Sequence, residues 1–95
     1  MDLYVIRRRS NWKNPEELEL AAAKSTAEGE KMSDEVRWIR SYVVEEEDGR
    51  LGTVCIYEGV SADALRKHAS NTGMSADEVT RVADTVIVRE DPVPA

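Results

Sequence analysis

Leu3 to Arg8, with Tyr4, Val5 and Ile6 at its centre, predicts a first β-strand, and Ser10 to Lys13 predicts a loop. Asn14-Pro15-Glu16-Glu17 then opens a helix: Asn14 is the N-cap, Pro15 takes the first helical position and Glu17 completes a capping-box spacing. The acidic first turn also suits the helix dipole. Leu18, Ala21, Ala22 and Ser25 recur at i, i+3, i+4 and i+7, and their small size predicts close approach to a sheet. Gly29 lies near the end of this helix, and Met32 is expected to cover the edge of the core.

Val36 to Glu58 predicts a β-hairpin. Asp48-Gly49 suits a two-residue type I′ turn, which needs positive φ at both central positions. That turn pairs Glu47 with Arg50, Tyr42 with Cys55 and Arg40 with Tyr57. Alternation then places Trp38, Arg40, Tyr42, Thr53, Cys55 and Tyr57 on one face, and Ile39, Ser41, Val43, Val54 and Ile56 on the other. The second face is aliphatic and suits helices. The first mixes aromatic residues with Arg and Cys, and function is expected there.

Ser61 caps a second helix with Asp63 in its first turn, an inward stripe of Leu65, His68, Ala69 and Thr72, and a stop at Asn71-Thr72-Gly73. Ser75-Ala76-Asp77-Glu78 repeats the capping-box pattern and predicts a short helical turn. Val82, Val86, Ile87 and Val88 predict a final strand over 80–89, interrupted at Asp84. Residues 1–90 are expected to form one domain and 91–95, with Pro92 and Pro94, a flexible C-terminal tail. The order β-α-β-β-α-β with right-handed crossovers predicts an α+β, ferredoxin-like sandwich. Its four-stranded antiparallel sheet would carry both helices on one face. An open face bearing Trp38, Tyr42 and Tyr57 exceeds what a monomer usually exposes, so a second copy or a ligand is expected to cover it.

Ninety-five residues bury roughly 60–70% of their unfolded surface, enough for such a core without disulfide or structural metal. A net charge of -6 repels phosphate, which argues against nucleic acid and anionic membranes as partners. Arg7-Arg8-Arg9 is a local exception, expected as a solvated strand end, with anion contact the alternative. The single cysteine, Cys55, excludes an internal disulfide and CxxC zinc spacing. Nothing resembles a signal peptide or a membrane span, so a cytoplasmic protein is expected.

Three segments together carry a family resemblance: Arg37-Trp38-Ile39-Arg40-Ser41-Tyr42-Val43, Cys55-Ile56-Tyr57-Glu58 and Arg66-Lys67-His68-Ala69. They resemble the bacterial nickel-binding-protein-like family, small ferredoxin-like domains of unknown function common in actinobacteria. The similarity runs over essentially the whole chain. It implies homodimers and, in at least one member, nickel at the dimer surface, but no established reaction. The residues in these segments with ligand chemistry are Cys55, Glu58 and His68. With one histidine in the chain, any such site lacks the imidazoles that usually hold nickel.

Each candidate also has a plain structural role. Cys55 suits a small apolar contact as well as a thiolate ligand. His68 is either a hydrogen-bonded helix residue or a ligand or general base beside Glu58. Trp38, Tyr42 and Tyr57 suit core or interface, or a platform for a planar ligand. Arg40 among them needs a carboxylate, from a second subunit or from an anionic ligand. Glu45-Glu46-Glu47-Asp48 reads as a solvated hairpin end rather than a chelating cluster. No nucleophile–base set, phosphate loop or paired-carboxylate spacing stands out. The first reading is a non-catalytic homodimer with nickel or another divalent metal; the second is a small-molecule binder or enzyme with a pocket near Trp38, Arg40, Tyr57 and His68.

Overall fold

In the computed structural model, which describes residues 1–93, the elements are β1 (Asp2–Trp12), α1 (Pro15–Lys31), β2 (Val36–Glu45), β3 (Leu51–Gly59), α2 (Ala62–Thr72) and β4 (Glu78–Arg81). The strands form one antiparallel sheet in the order β2-β3-β1-β4. Both helices lie on one side of it, the ferredoxin-like arrangement. The caps form as their residues dictate. Asn14 accepts a hydrogen bond from the Glu17 amide, and Glu17 Oε1 accepts one from the Lys13 amide. Ser61 accepts one from Ala64, and Gly73, at φ 76°, closes α2 with hydrogen bonds from its own amide to Ser70 and from Met74 to Ala69.

The hairpin turns differently from the two-residue expectation. The Gly49 amide bonds the Glu46 carbonyl, the Glu46 amide bonds the Arg50 carbonyl, and Gly49 alone is left-handed, at φ 84°. This is a three-residue loop ending in a glycine bulge, and it moves the register by one. Tyr42 therefore faces Val54 rather than Cys55, and Ser41 faces Cys55. A second irregularity between Trp38 and Arg40 brings Trp38 opposite Tyr57 and leaves Arg40 opposite Ile56. A one-residue slip moves a side chain to the other face. Trp38, Thr53, Cys55 and Tyr57 consequently lie on the helix-covered face, while Arg40, Tyr42, Val54 and Ile56 lie on the open one.

The core follows from that parity. Tyr4 and Ile6 of β1, Cys55 and Tyr57 of β3, Val36 of β2, and Ala64 and Leu65 of α2 are buried together beneath the helices. The loop expected over Ser10 to Lys13 is instead the end of β1. A bulge between Arg8 and Trp12, with Ser10 at φ 52°, turns Trp12 back onto the helix side. Arg7 holds the bulge by reaching Glu46 at 2.7 Å and the Thr53 carbonyl at 3.2 Å, while Glu46 also accepts from the Ser10 amide. Gly52 sits against this cluster, and a Cβ there would lie 2.6 Å from the Arg8 carbonyl oxygen and 2.8 Å from an Arg7 guanidinium nitrogen. Gly52→Ala is expected to cost roughly 1–3 kcal/mol, read as a lower urea midpoint at unchanged m-value.

The last part of the chain also departs from expectation. Ser75 to Asp77 forms no helical turn, and β4 ends at Arg81. Val86, Ile87 and Val88 pair with nothing and are 86%, 77% and 80% exposed. With no partner strand beyond β1 to extend along, their β propensity has nothing to act on. Asp91 is nonetheless anchored, accepting from Arg40 at 2.8 Å and from the Tyr42 hydroxyl. Of the tail expected over 91–95, residues 94 and 95 lie outside the described residues.

Candidate functional site

α1 is the loosest element of the sandwich. Ser25 is its one buried residue, and Leu18, Ala21 and Ala22 are only half-buried. Their side chains are too short to fill the space between the helix and β2–β3, and a cleft of about 730 Å³ opens there. The sheet supplies its floor with Arg8, Trp38, Val43, Thr53, Cys55 and Tyr57, and α1 forms its roof. Trp12 closes one end. The lining is predominantly apolar, as small-molecule sites usually are.

Tyr57 is the hub of this floor. Its ring lies nearly parallel to that of Trp38, 4° apart with centroids separated by 6.0 Å, and its hydroxyl shares a 2.9 Å hydrogen bond with Ser25. Burial pushes the Tyr57 phenol above its ordinary value, with the Ser25 hydrogen bond opposing the shift. Trp38 keeps 40% of its surface exposed and donates to Ser41 Oγ, so one face of the indole looks outward over the cleft. His68 lies behind Tyr57, 5.7 Å between ring centroids, and its Nε2 donates to the Ser25 carbonyl at 3.0 Å. A carbonyl can only accept, so this nitrogen carries a proton and is not available as a ligand or base.

The residues singled out from sequence therefore separate into groups. Trp38 and Tyr57 meet in the cleft, with Cys55 and His68 buried beside Tyr57. Arg40 and Tyr42 meet each other on the open face, around Asp91, and Arg40 also borders the cleft that Trp38, Tyr57 and His68 line. The hydrogen bond from Tyr42, and then Arg40, holds the Asp91 carboxyl below its usual range. Glu58, opposite Leu3 and Arg37, has the open-face parity and is not brought to Cys55 or His68. Among the described residues no three of His, Cys, Asp or Glu gather closely enough to hold a metal ion. Cys55, Glu58 and His68 are thus not brought together as a nickel centre within the chain. No helix among the described residues is long and apolar enough to cross a membrane.

Two residues of the site were not singled out as such in the sequence. Arg8 belonged to the run expected in solvent, yet it is 4% exposed, because it shares a face with Tyr4 and Ile6. That parity was visible in the sequence once the strand was drawn through it. Thr53 is 3% exposed, and its hydroxyl has no hydrogen-bond partner. Nothing in the sequence signalled that.

A family model described as "Nickel responsive protein SCO4226-like" matches residues 4–82. Among curated proteins none matches. The crystal structure of SCO4226 from Streptomyces coelicolor A3(2) is similar, with a TM-score of 0.71 and 20% identity over 88% of this chain and 99% of that one. At that identity the likeness shows the fold.

Proposed function

Because this chain belongs to the family of nickel responsive proteins like SCO4226, we propose that it serves a nickel response as a non-catalytic binding protein, with the cleft beneath α1 as its small-molecule site. The observation that carries this reading is the cleft itself: an apolar space with an aromatic floor, where a better-filled helix would have sealed the sandwich. The neighbouring groups favour binding over catalysis. His68 is committed to the Ser25 carbonyl, and Cys55 is buried. In this reading divalent metal contacts are weak and shared between protomers. Ala22→Trp, which fills the space from α1, tests the cleft. Wild type is expected to enhance the emission of the neutral probe N-phenyl-1-naphthylamine, and the variant to leave it dark. Equal enhancement in both would contradict the reading.

Assembly as a homodimer is the companion proposal, supported by the uncovered face of the sheet. Val5, Val54 and Ile56 are only half-buried there, Tyr42 is 43% exposed, and the apolar run Val86-Ile87-Val88 is exposed without cover of its own. A second copy of the same face would match both features at once.

A further inference from the structure

The cleft holds a buried cation with no counter-ion. Arg8 and Thr53 are cross-strand neighbours on the helix-covered face, side by side in the cleft floor. Arg8 Nε donates to the Ser75 carbonyl at 2.9 Å, and one terminal nitrogen lies 3.9 Å from Cys55 Sγ, a weak contact. None of the six ion pairs among the described residues involves Arg8. Glu19 and Glu30 line the cleft from exposed positions on α1, and neither forms an ion pair with Arg8. A guanidinium taken out of water is normally paired, and one with spare donors in an apolar space is a strong attractor for an oxyanion. The Thr53 hydroxyl beside it is the second, independent sign: it is buried and bonded to nothing.

We propose that Arg8 and Thr53 form the head-group site for the carboxylate of an amphiphilic monocarboxylic acid whose apolar body lies along the cleft against Trp38. This deepens the cleft reading and rests on it. The dimensions are consistent. From Thr53 to Tyr57 is four residues along β3, about 13 Å, which suits a medium-length chain or a fused-ring body. Between the head and the indole of Trp38 the floor passes Cys55, Ser41 and Val43, and the roof is Leu18 and Ala22. A carboxylate accepts in two directions, from the guanidinium fork and from a hydroxyl, so both unsatisfied groups would be met by one ligand. Arg37 and Arg40 also border the cleft, but Arg40 is paired with Asp91 and Arg37 is exposed, so the second negative charge of a phosphate ester would find no second buried arginine there.

Trp12 and Trp38 are the only tryptophans and both line the cleft, so intrinsic fluorescence reports occupancy directly. Decanoate and decanol are the probes. Wild type is expected to bind decanoate at least tenfold more tightly than decanol. Arg8→Met should remove that preference while keeping decanol affinity, and Arg8→Lys should restore part of it. Thr53→Val removes a hydroxyl that has no partner, so it should leave the urea midpoint unchanged or higher and weaken decanoate several-fold. That variant keeps the test open if Arg8→Met fails to fold. Equal binding of acid and alcohol in wild type would overturn the carboxylate site and leave the cleft standing. Loss of decanol and of N-phenyl-1-naphthylamine binding alike would overturn the cleft.

Discussion

Truncating Tyr57 to alanine should cost about 3–5 kcal/mol of folding stability, a large share of what a domain of this size usually has. The ring is 2% exposed and lies between the sheet and both helices, stacked on Trp38 and tilted against His68. Removing it opens the floor of the cleft into the core, so the cavity term adds to the lost burial. Tyr57→Phe separates the two contributions. It keeps the ring but deprives buried Ser25 of its hydroxyl partner, which should cost about 1–3 kcal/mol. Urea denaturation followed by circular dichroism checks both, and equal midpoints for wild type and Tyr57→Ala would mean the ring is not the hub described.

Ile56→Lys should break the proposed homodimer, raising its dissociation constant a thousandfold or more, roughly 4 kcal/mol. Ile56 stands on the open face in a central strand, between Val5 and Arg40. In a sheet-to-sheet interface a lysine there would have to be desolvated without a partner. Trp38→Ala is the contrast. Trp38 lies on the helix-covered face, so its loss should empty part of the cleft and leave assembly intact. Sedimentation velocity across a concentration series distinguishes the two. Dissociation in Trp38→Ala with an intact dimer in Ile56→Lys would place the interface on the wrong face.

The contrast between those two variants also marks where the sequence was legible. Element order, both helix N-caps and the ferredoxin-like sandwich follow from residues that act locally: Asn14-Pro15, Ser61, Gly73 and the aliphatic runs between them. The hairpin register does not follow, because Asp48-Gly49 fits a two-residue turn and a three-residue loop with a glycine bulge equally well. One residue of slip reversed every odd residue of β3 relative to the helices, and the irregularity at Ile39 reversed Trp38 with them, while Arg40 and Tyr42 kept the open face expected of them. The site inherited that reversal. Trp38 and Tyr57 moved together to the helix-covered side, while Arg40 and Tyr42 stayed on the open face. Arg8 was hidden by its neighbours: three consecutive arginines look solvated, and only tertiary packing on the Tyr4–Ile6 face buries the middle one. The strand expected through Val86-Ile87-Val88 failed for the opposite reason, since propensity without a pairing edge forms nothing.

The proposed function is that of a binding protein holding a small molecule beneath α1, with divalent metal contacts that are weak and shared between protomers. Native mass spectrometry of untagged protein, expressed with nickel in the medium and exposed to a mild chelator before ionisation, tests it most directly. The expected spectrum shows a dimer mass, no nickel retained in one-to-one ratio with the chain, and one small-molecule adduct per protomer that is absent from Ala22→Trp. A monomer that keeps one nickel per chain through the chelator, with no adduct in the wild type, would contradict it.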